Sequence, residues 1–180
     1  MRKLSVAALL SADGIHGEPR SWVGAYFDDA AAAESLDKLL HADAMLMGRH
    51  TYEYFAAAWP STPGQYADRI NAMPKYVFSS TLPTADWSNS TVVAADPVKS
   101  VVELKQQGDG DLVIYGFGQL AQTLLEHDLV DELTFSLHPV LVGSGTPVFR
   151  SGLLTPLQLT STEARPNGVV SLSYTKAHAA

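Results

Sequence analysis

For roughly two thirds of its length this chain alternates strand-like apolar runs with helical stretches, and after Val130 the alternation stops. Residues 3–10, 44–47, 75–80, 91–95 and 111–116 are apolar runs of strand length. Between them, 29–41, 51–59, 65–73, 97–108 and 118–127 read as helices. Pro97 near the start of one and Gly108 at its end are the usual helix punctuation. From Val130 onward the pattern is strand after strand: "DELTFSLHPVLV", then "LQLTSTEA" and "VVSLSYTKA" around the turn "RPNG". A chain with this order folds as α/β with an antiparallel C-terminal end.

A length of 180 residues, 46% of them hydrophobic, is enough for one substantial core, and no linker-like stretch divides it. One domain spanning 1–180 is expected. The net charge of −7 supplies no general attraction for nucleic acid or an anionic membrane, so any phosphate recognition has to be local. Without cysteine there are no disulfides, thiolate metal sites or cysteine nucleophiles. The six histidines show no paired spacing, and no metal is expected. The opening "MRKLSVAALLSADG" has the charge and short apolar run of a leader, but it runs straight into the turn signal Asp13-Gly14. We read it as a first strand, which places the protein in the cytoplasm.

Two junctions carry the chemistry. In "AMLMGRHTYEYF" an apolar strand passes through Gly48 and Arg49 into a helix whose Tyr52, Phe55, Ala56 and Trp59 recur at core-facing spacing. Gly48 lets a ligand approach the backbone, Arg49 offers five donors, and Thr51 is the expected N-cap. The free amides and positive dipole end of such a helix favour an anion; a plain strand-to-helix turn with a surface arginine is the competing reading. In "VIYGFGQLAQTLL" a second strand passes through Gly116-Phe117-Gly118 into a helix with Leu120, Leu124 and Leu125 as its stripe. It satisfies G-x-G-x-x-A, yet sits too late in the chain, before antiparallel strands, to open a Rossmann unit. Two such junctions can grip one dinucleotide from two sides.

The order and spacing of these motifs resemble the dihydrofolate reductase superfamily, in particular the reductase domain of riboflavin biosynthesis. "LSADGIHG" is similar to that branch's S-x-D-G loop, "LMGRHTYE" to its M-G-R-x-T phosphate motif, and "VFSST" to its adenosine-side strand end. "YGFGQLAQTLLEHDLVDELTFSLHPVLVGSGTPVF" resembles the block running from G-G-x-x-L through L-V-D-E-L to P-x-F. The resemblance implies a three-layer fold, a central mostly parallel mixed sheet flanked by helices and ending in an antiparallel hairpin. It also implies NADPH as hydride donor. On the matching positions, Gly48, Arg49 and Thr51 would hold the cofactor phosphates, and Ser79, Ser80 and Thr81 the adenosine ribose and 2′-phosphate. Gly116, Phe117, Gly118, Gln119 and Leu120 would pass over the pyrophosphate toward the nicotinamide.

Two departures from the family shape the functional reading. Phe117 stands where a second glycine is usual, so its side chain must turn away from the cofactor or wall the site. The carboxylate that fixes a pterin in folate-reducing relatives falls close to Ala32, with Asp28, Asp29 and Glu34 nearby but none on it, which makes dihydrofolate a poor substrate. Asp13, in the loop after the first strand, is a candidate acid if a closing loop desolvates it and raises its pKa; a simple Asp-Gly turn is the alternative. Tyr115 is a second candidate, able to present its hydroxyl to the substrate or simply to pack, while His138, before Pro139, reads more as a packed strand histidine than as an acid. A phosphorylated riboflavin-pathway substrate would need a second anion site, for which Arg20, Arg69 and Arg150 are available.

The expected activity is therefore NADPH-dependent reduction of a small pterin-like or pyrimidine-like compound, or of a related carbonyl or imine. A non-catalytic NADP(H)-binding or ligand-sensing module and a purely structural dimer are the alternatives. The strand-rich C-terminal half should form a homodimer interface, because its apolar surface or strand edge would otherwise lie open.

Overall fold

The computed structural model describes residues 1–148 and 154–177. Eight strands form one sheet in the order β4-β3-β2-β5-β1-β6-β8-β7. The first six are β1 (Leu4–Ser11), β2 (Ala42–Gly48), β3 (Lys75–Phe78), β4 (Ser90–Val93), β5 (Asp111–Tyr115) and β6 (Glu132–His138). Their neighbours in the sheet all pair in parallel. The hairpin of β7 (Leu157–Ala164) and β8 (Val170–Lys176) joins β6 antiparallel, as the change of rhythm after Val130 requires.

Five helices connect the parallel strands: α1 (Asp29–His41), α2 (Arg49–Ala56), α3 (Gln65–Ala72), α4 (Pro97–Lys105) and α5 (Gln119–Glu126). Local chemistry starts α1 and α4, where Asp28 accepts from the Ala31 amide at 2.9 Å and Asp96 from the Lys99 amide at 2.9 Å. α2 begins at Arg49 rather than at residue 51. Gly48 is its N-cap, and Thr51 lies inside the first turn instead of capping it. The helix also stops at Ala56, with a separate 3-10 turn at Trp59–Ser61. β6 ends at His138 because Pro139 has no amide to continue the ladder.

The sheet separates two apolar layers. One packs Leu4, Val6, Leu46, Ile114 and Leu133 against Val101, Leu104, Leu124 and Leu125 of α4 and α5. The other gathers Met45, Met47, Val77 and Val113 with Leu39, Tyr52, Ile70, Met73 and Trp87. A buried lysine completes the second layer. Lys75 Nζ donates to the carbonyls of Ile70, Asn71 and Met73 at 2.8–3.0 Å and sits 4.4 Å over the Trp87 ring, tying down the end of α3. Its burial pulls the Lys75 pKa down to about 8.

At the N-terminal end of the sheet the polar groups are paired. Asp131, from the L-V-D-E-L stretch, accepts from the Leu4 amide at 2.6 Å and from buried Lys105, so this motif acid holds β1, β6 and α4 in register. Asp43 accepts from the Gly110 amide beside Arg2. The opposite end of the sheet is different.

Candidate cofactor and substrate site

At the C-terminal ends of the parallel strands lies a cavity of about 590 Å³. Ligands of open α/β sheets sit at this edge, where helices following the strands turn their N-termini inward. Here α2 and α5 both do so, with Gly48 and Gly118 as N-caps, and neither cap supplies a side-chain acceptor to the first-turn amides. A Cβ built on Gly48, Gly116 or Gly118 would meet nothing within 4 Å, so all three backbones are open to a ligand. Gly116 also needs to be glycine, since its φ of +93° is strained for any other residue. Two free helix ends facing one cavity make a site for anionic groups. α4, whose Asp96 and Pro97 also reach the cavity, has its first turn occupied by the aspartate.

Of the residues the sequence nominated for the cofactor, Gly48, Arg49, Thr51, Ser79, Ser80, Gly116, Gly118, Gln119 and Leu120 line this cavity. Arg49 is half-exposed; its Nε donates to Glu53 at 2.7 Å and its Nη1 to Thr81 at 3.0 Å. Thr81 therefore holds the arginine rather than lining the cavity. Ser79 Oγ accepts from the amides of Thr81 and Leu82 and so shapes the turn after β3. Phe117 turns away from the cavity: it is buried against Phe135, ring centroids 5.4 Å apart, and its carbonyl accepts from Gln122 Nε2. His50, in the first turn of α2, and the Val93–Pro97 segment also line the cavity; sequence reasoning missed the segment because it reaches the site only through the end of the neighbouring strand β4.

The nominated acids fare differently. Asp13 accepts from Ser11 Oγ at 2.6 Å and from the amides of Val142 and Gly143, which hold its pKa down to about 2 instead of raising it, and the Gly14 amide donates to the Ser11 carbonyl in a turn. It tethers the loop after β1 to the loop after β6. Tyr115 lines the cavity, and its hydroxyl is buried beside that of Tyr66. Burial also raises its pKa. His138 is buried with edge-on contacts to Trp22 and Tyr26, and its Nδ1–H donates to the Ser136 carbonyl at 2.9 Å. Desolvation lowers its pKa, favouring the neutral ring of a packed residue.

Of the acids near Ala32, Asp29 is exposed in the first turn of α1 and the other two are engaged. Asp28 caps α1 and accepts from Asn167, while Glu34 pairs with Lys38 and Arg165. Among the arginines nominated for a second anion site, Arg69 is spent on the carbonyls of Leu39 and Ala42 at the end of α1. Arg150 lies outside the described residues. Arg20 lies 4.9 Å over the ring of Tyr54. Among the described residues there is no group of three or more His, Cys, Asp or Glu placed to hold a metal ion, and no helix long and apolar enough to cross a membrane.

A mostly parallel sheet with an antiparallel C-terminal hairpin and two open helix ends at its carboxyl edge defines an α/β protein of the dihydrofolate reductase-like class. Within that class the chain belongs to the RibD C-terminal domain family, which it matches over residues 2–171. The family points to a reductase-type enzyme. Protein YyaP of Bacillus subtilis is 29% identical over 145 residues, covering 77% of this chain and 76% of that protein. A putative riboflavin biosynthesis protein from Shewanella sp. PV-4 superimposes with a TM-score of 0.77 at 20% identity, over 98% of this chain and 99% of the other. A diaminohydroxyphosphoribosylaminopyrimidine deaminase/5-amino-6-(5-phosphoribosylamino)uracil reductase from Thermotoga maritima gives 0.69 at 10% identity, over 98% of this chain and 57% of that one. At these identities the structural likenesses speak to the fold.

Proposed function

We propose that the protein is an NADPH-dependent reductase of a small pterin-like or pyrimidine-like compound, or of a related carbonyl or imine. The observation that carries this reading is the pair of uncapped helix N-termini, α2 and α5, opening on one cavity with Arg49 at its rim. The donor set fits a dinucleotide: backbone amides for the phosphates, a guanidinium and the Ser79–Ser80 segment for a further phosphate, and glycine backbones open to close approach. NADPH, when bound, supplies the hydride. The chain's own residues bind and orient it, and the buried apolar wall beyond Tyr115 keeps water from the reacting face.

With no carboxylate at Ala32, protonation of the substrate falls to Tyr115 or to a water molecule, and dihydrofolate is disfavoured. The test is direct: NADPH binding by calorimetry, followed by NADPH absorbance in the presence of pterin, pyrimidine and simple carbonyl substrates. Loss of absorbance that depends on substrate supports the reductase. Tight NADPH binding without turnover against any of them would favour a ligand-sensing module instead. We also propose a homodimer, because β7 is a sheet edge exposed along nearly its whole length and carries the exposed Leu159. Sedimentation at micromolar concentration should give twice the monomer mass, and a monomer at every concentration would dispose of this interface.

A further inference from the structure

After β1 the chain makes an arch before it enters α1, and the arch is fastened lightly. Its two feet are bonded. The His16 amide donates to the Thr146 carbonyl at 3.0 Å; at the other foot the Tyr26 hydroxyl donates to the Pro139 carbonyl at 3.2 Å and the Tyr26 carbonyl accepts from Asn167 at 3.0 Å. Between the feet, among the described residues, every hydrogen bond of residues 18–25 stays inside the arch: in the 3-10 turns Pro19–Ser21 and Gly24–Tyr26, and from Trp22 Nε1 to the Gly17 carbonyl. Neither turn contains a buried residue. Few buried contacts and no bonds to the body are the marks of a segment that opens at little cost.

Two ring contacts hold the crown of the arch. Arg20 stacks on Tyr54 of α2, 4.9 Å from the ring centroid, and Trp22 meets the imidazole of His138, at the end of β6, edge-on at 5.4 Å. Because β5 and β1 lie between β2 and β6, the arch spans the carboxyl edge of the sheet from β6 to α2, the helix whose N-terminus opens on the cavity. One of these contacts is open to change by a proton. His138 is 5% exposed, its Nδ1–H donates to the Ser136 carbonyl, and its Nε2 has no hydrogen-bond partner among the described residues. The elements packed around it supply no counter-charge: β1 brings the Leu10 carbonyl, the arch the rings of Trp22 and Tyr26, and β8 the Ser171 hydroxyl opposite Ser136. The acids of the flanking loops are committed elsewhere, Asp13 to Ser11 and the amides of Val142 and Gly143, and Asp28 to the Ala31 amide and Asn167. Glu18 is exposed on the arch itself, and Arg20 is held over Tyr54.

We propose that the Trp22–His138 contact is a latch, and that a proton taken up by His138 in mildly acid conditions opens it and frees residues 18–25 from the carboxyl edge of the sheet. The device governs access to that edge and stands apart from the chemistry done there. A neutral imidazole suits a pocket of rings and carbonyls, whereas an imidazolium without a counter-charge needs water, which reaches it when Trp22 lifts away. Burial holds the His138 pKa below its ordinary 6.5, outweighing the opposite pull of the Ser136 and Leu10 carbonyls. Lifting the arch lets that pKa return toward 6.5, so opening takes up a proton. The closed arch therefore keeps its full stability above 6.5 and loses it as pH falls below, with opening favoured by up to about tenfold per pH unit.

Amide hydrogen exchange read by mass spectrometry on the full chain, each rate divided by the intrinsic rate at that pH, tests the latch. In the parent, opening of residues 18–25 should increase about three- to eightfold between about pH 7 and about pH 5.5, while β1 and α1 stay protected. His138→Phe keeps a ring against Trp22 but has nothing to titrate, so its arch should stay closed across this range. Trp22→Ala should open the arch at both pH values. His16, at the first foot, also has its pKa lowered by burial, and His16→Gln should retain the parent's pH response. Exchange in residues 18–25 that ignores acid, or slows because the rings grip the imidazolium, would overturn the proposal. So would a parent-like pH response in His138→Phe, or its loss in His16→Gln, which would move the switch to the first foot. Should His138→Phe not fold, Trp22→Ala decides alone: an arch that is still closed at about pH 7 and opens with acid means that Trp22 on His138 is not the latch.

Discussion

Replacing Arg49 by alanine probes the phosphate reading most sharply, and the structure sets the size of the effect. The guanidinium has five N–H groups; one is committed to Glu53 and one to Thr81, leaving three for a ligand. A charged hydrogen-bonded pair with phosphate is worth about 1.5–3 kcal/mol. Two features pull the value toward the lower end. The Arg49 side chain is 48% exposed, so water and salt screen it, and Glu53 at 2.7 Å already neutralises part of its charge. We therefore expect Arg49→Ala to weaken NADPH by about 1–2 kcal/mol, roughly 5- to 30-fold, with the melting temperature of the apo protein unchanged. Glu53→Gln should act in the opposite direction, strengthening NADPH by about two- to fivefold as the competing charge is removed. Calorimetry at two salt concentrations provides the assay, because the parent's affinity should fall with salt more steeply than the variant's. If Arg49→Ala binds NADPH as tightly as the parent, the cofactor does not place a phosphate at the start of α2.

Three other expectations concern stability and substrate choice. Asp131→Ala removes the acceptor for the Leu4 amide and leaves buried Lys105 with only the Leu129 carbonyl, so urea denaturation should show a loss of about 2–3 kcal/mol, discounted for the part-exposed carboxylate; a loss under half a unit would refute the pinning role. Because the Asp13 pKa is depressed in the folded state, the stability it contributes is present above its ordinary value of 3.8 and is lost as pH falls through about 2; Asp13→Asn should flatten that part of the acid-unfolding profile, and an unchanged profile would count against the tether. Dihydrofolate should be reduced at least about 100-fold more slowly than the best of the pterin, pyrimidine and carbonyl substrates tried, for want of an acid at Ala32, and comparable rates in an NADPH absorbance assay would sink this reasoning.

How much of this was legible in the sequence depended on whether the signal was local. The limits of α1 and β7 follow from patterning and caps lying within the segments themselves, and the structure places both where the sequence puts them. α2 was misplaced by two residues because Thr51 is a better capping residue by type than Gly48. Opening an anion site requires the poorer cap, so the local rule failed at the functional position. The hydrogen bonds of Asp13 were illegible for another reason. Its partners are amides 129 and 130 positions away, and no local pattern announces that two loops will meet over a carboxylate. Phe55 and Trp59 carried core-facing spacing within α2's own stretch, and the structure packs both against the second apolar layer.

Phe117 gives the loop that we propose for the cofactor a property that paired glycines would lack. Its ring, 3% exposed, is pressed edge-on against Phe135 of β6, while the glycines on either side remain bare toward the cavity. The segment is thus bolted from behind by a hydrophobic anchor, and a dinucleotide arriving at it meets amides already aimed. Little backbone freedom remains to be surrendered on binding, so fewer contacts suffice for a given affinity. Any disturbance of the Phe117–Phe135 contact from the hairpin side would loosen the grip on the cofactor without touching a single group that faces it.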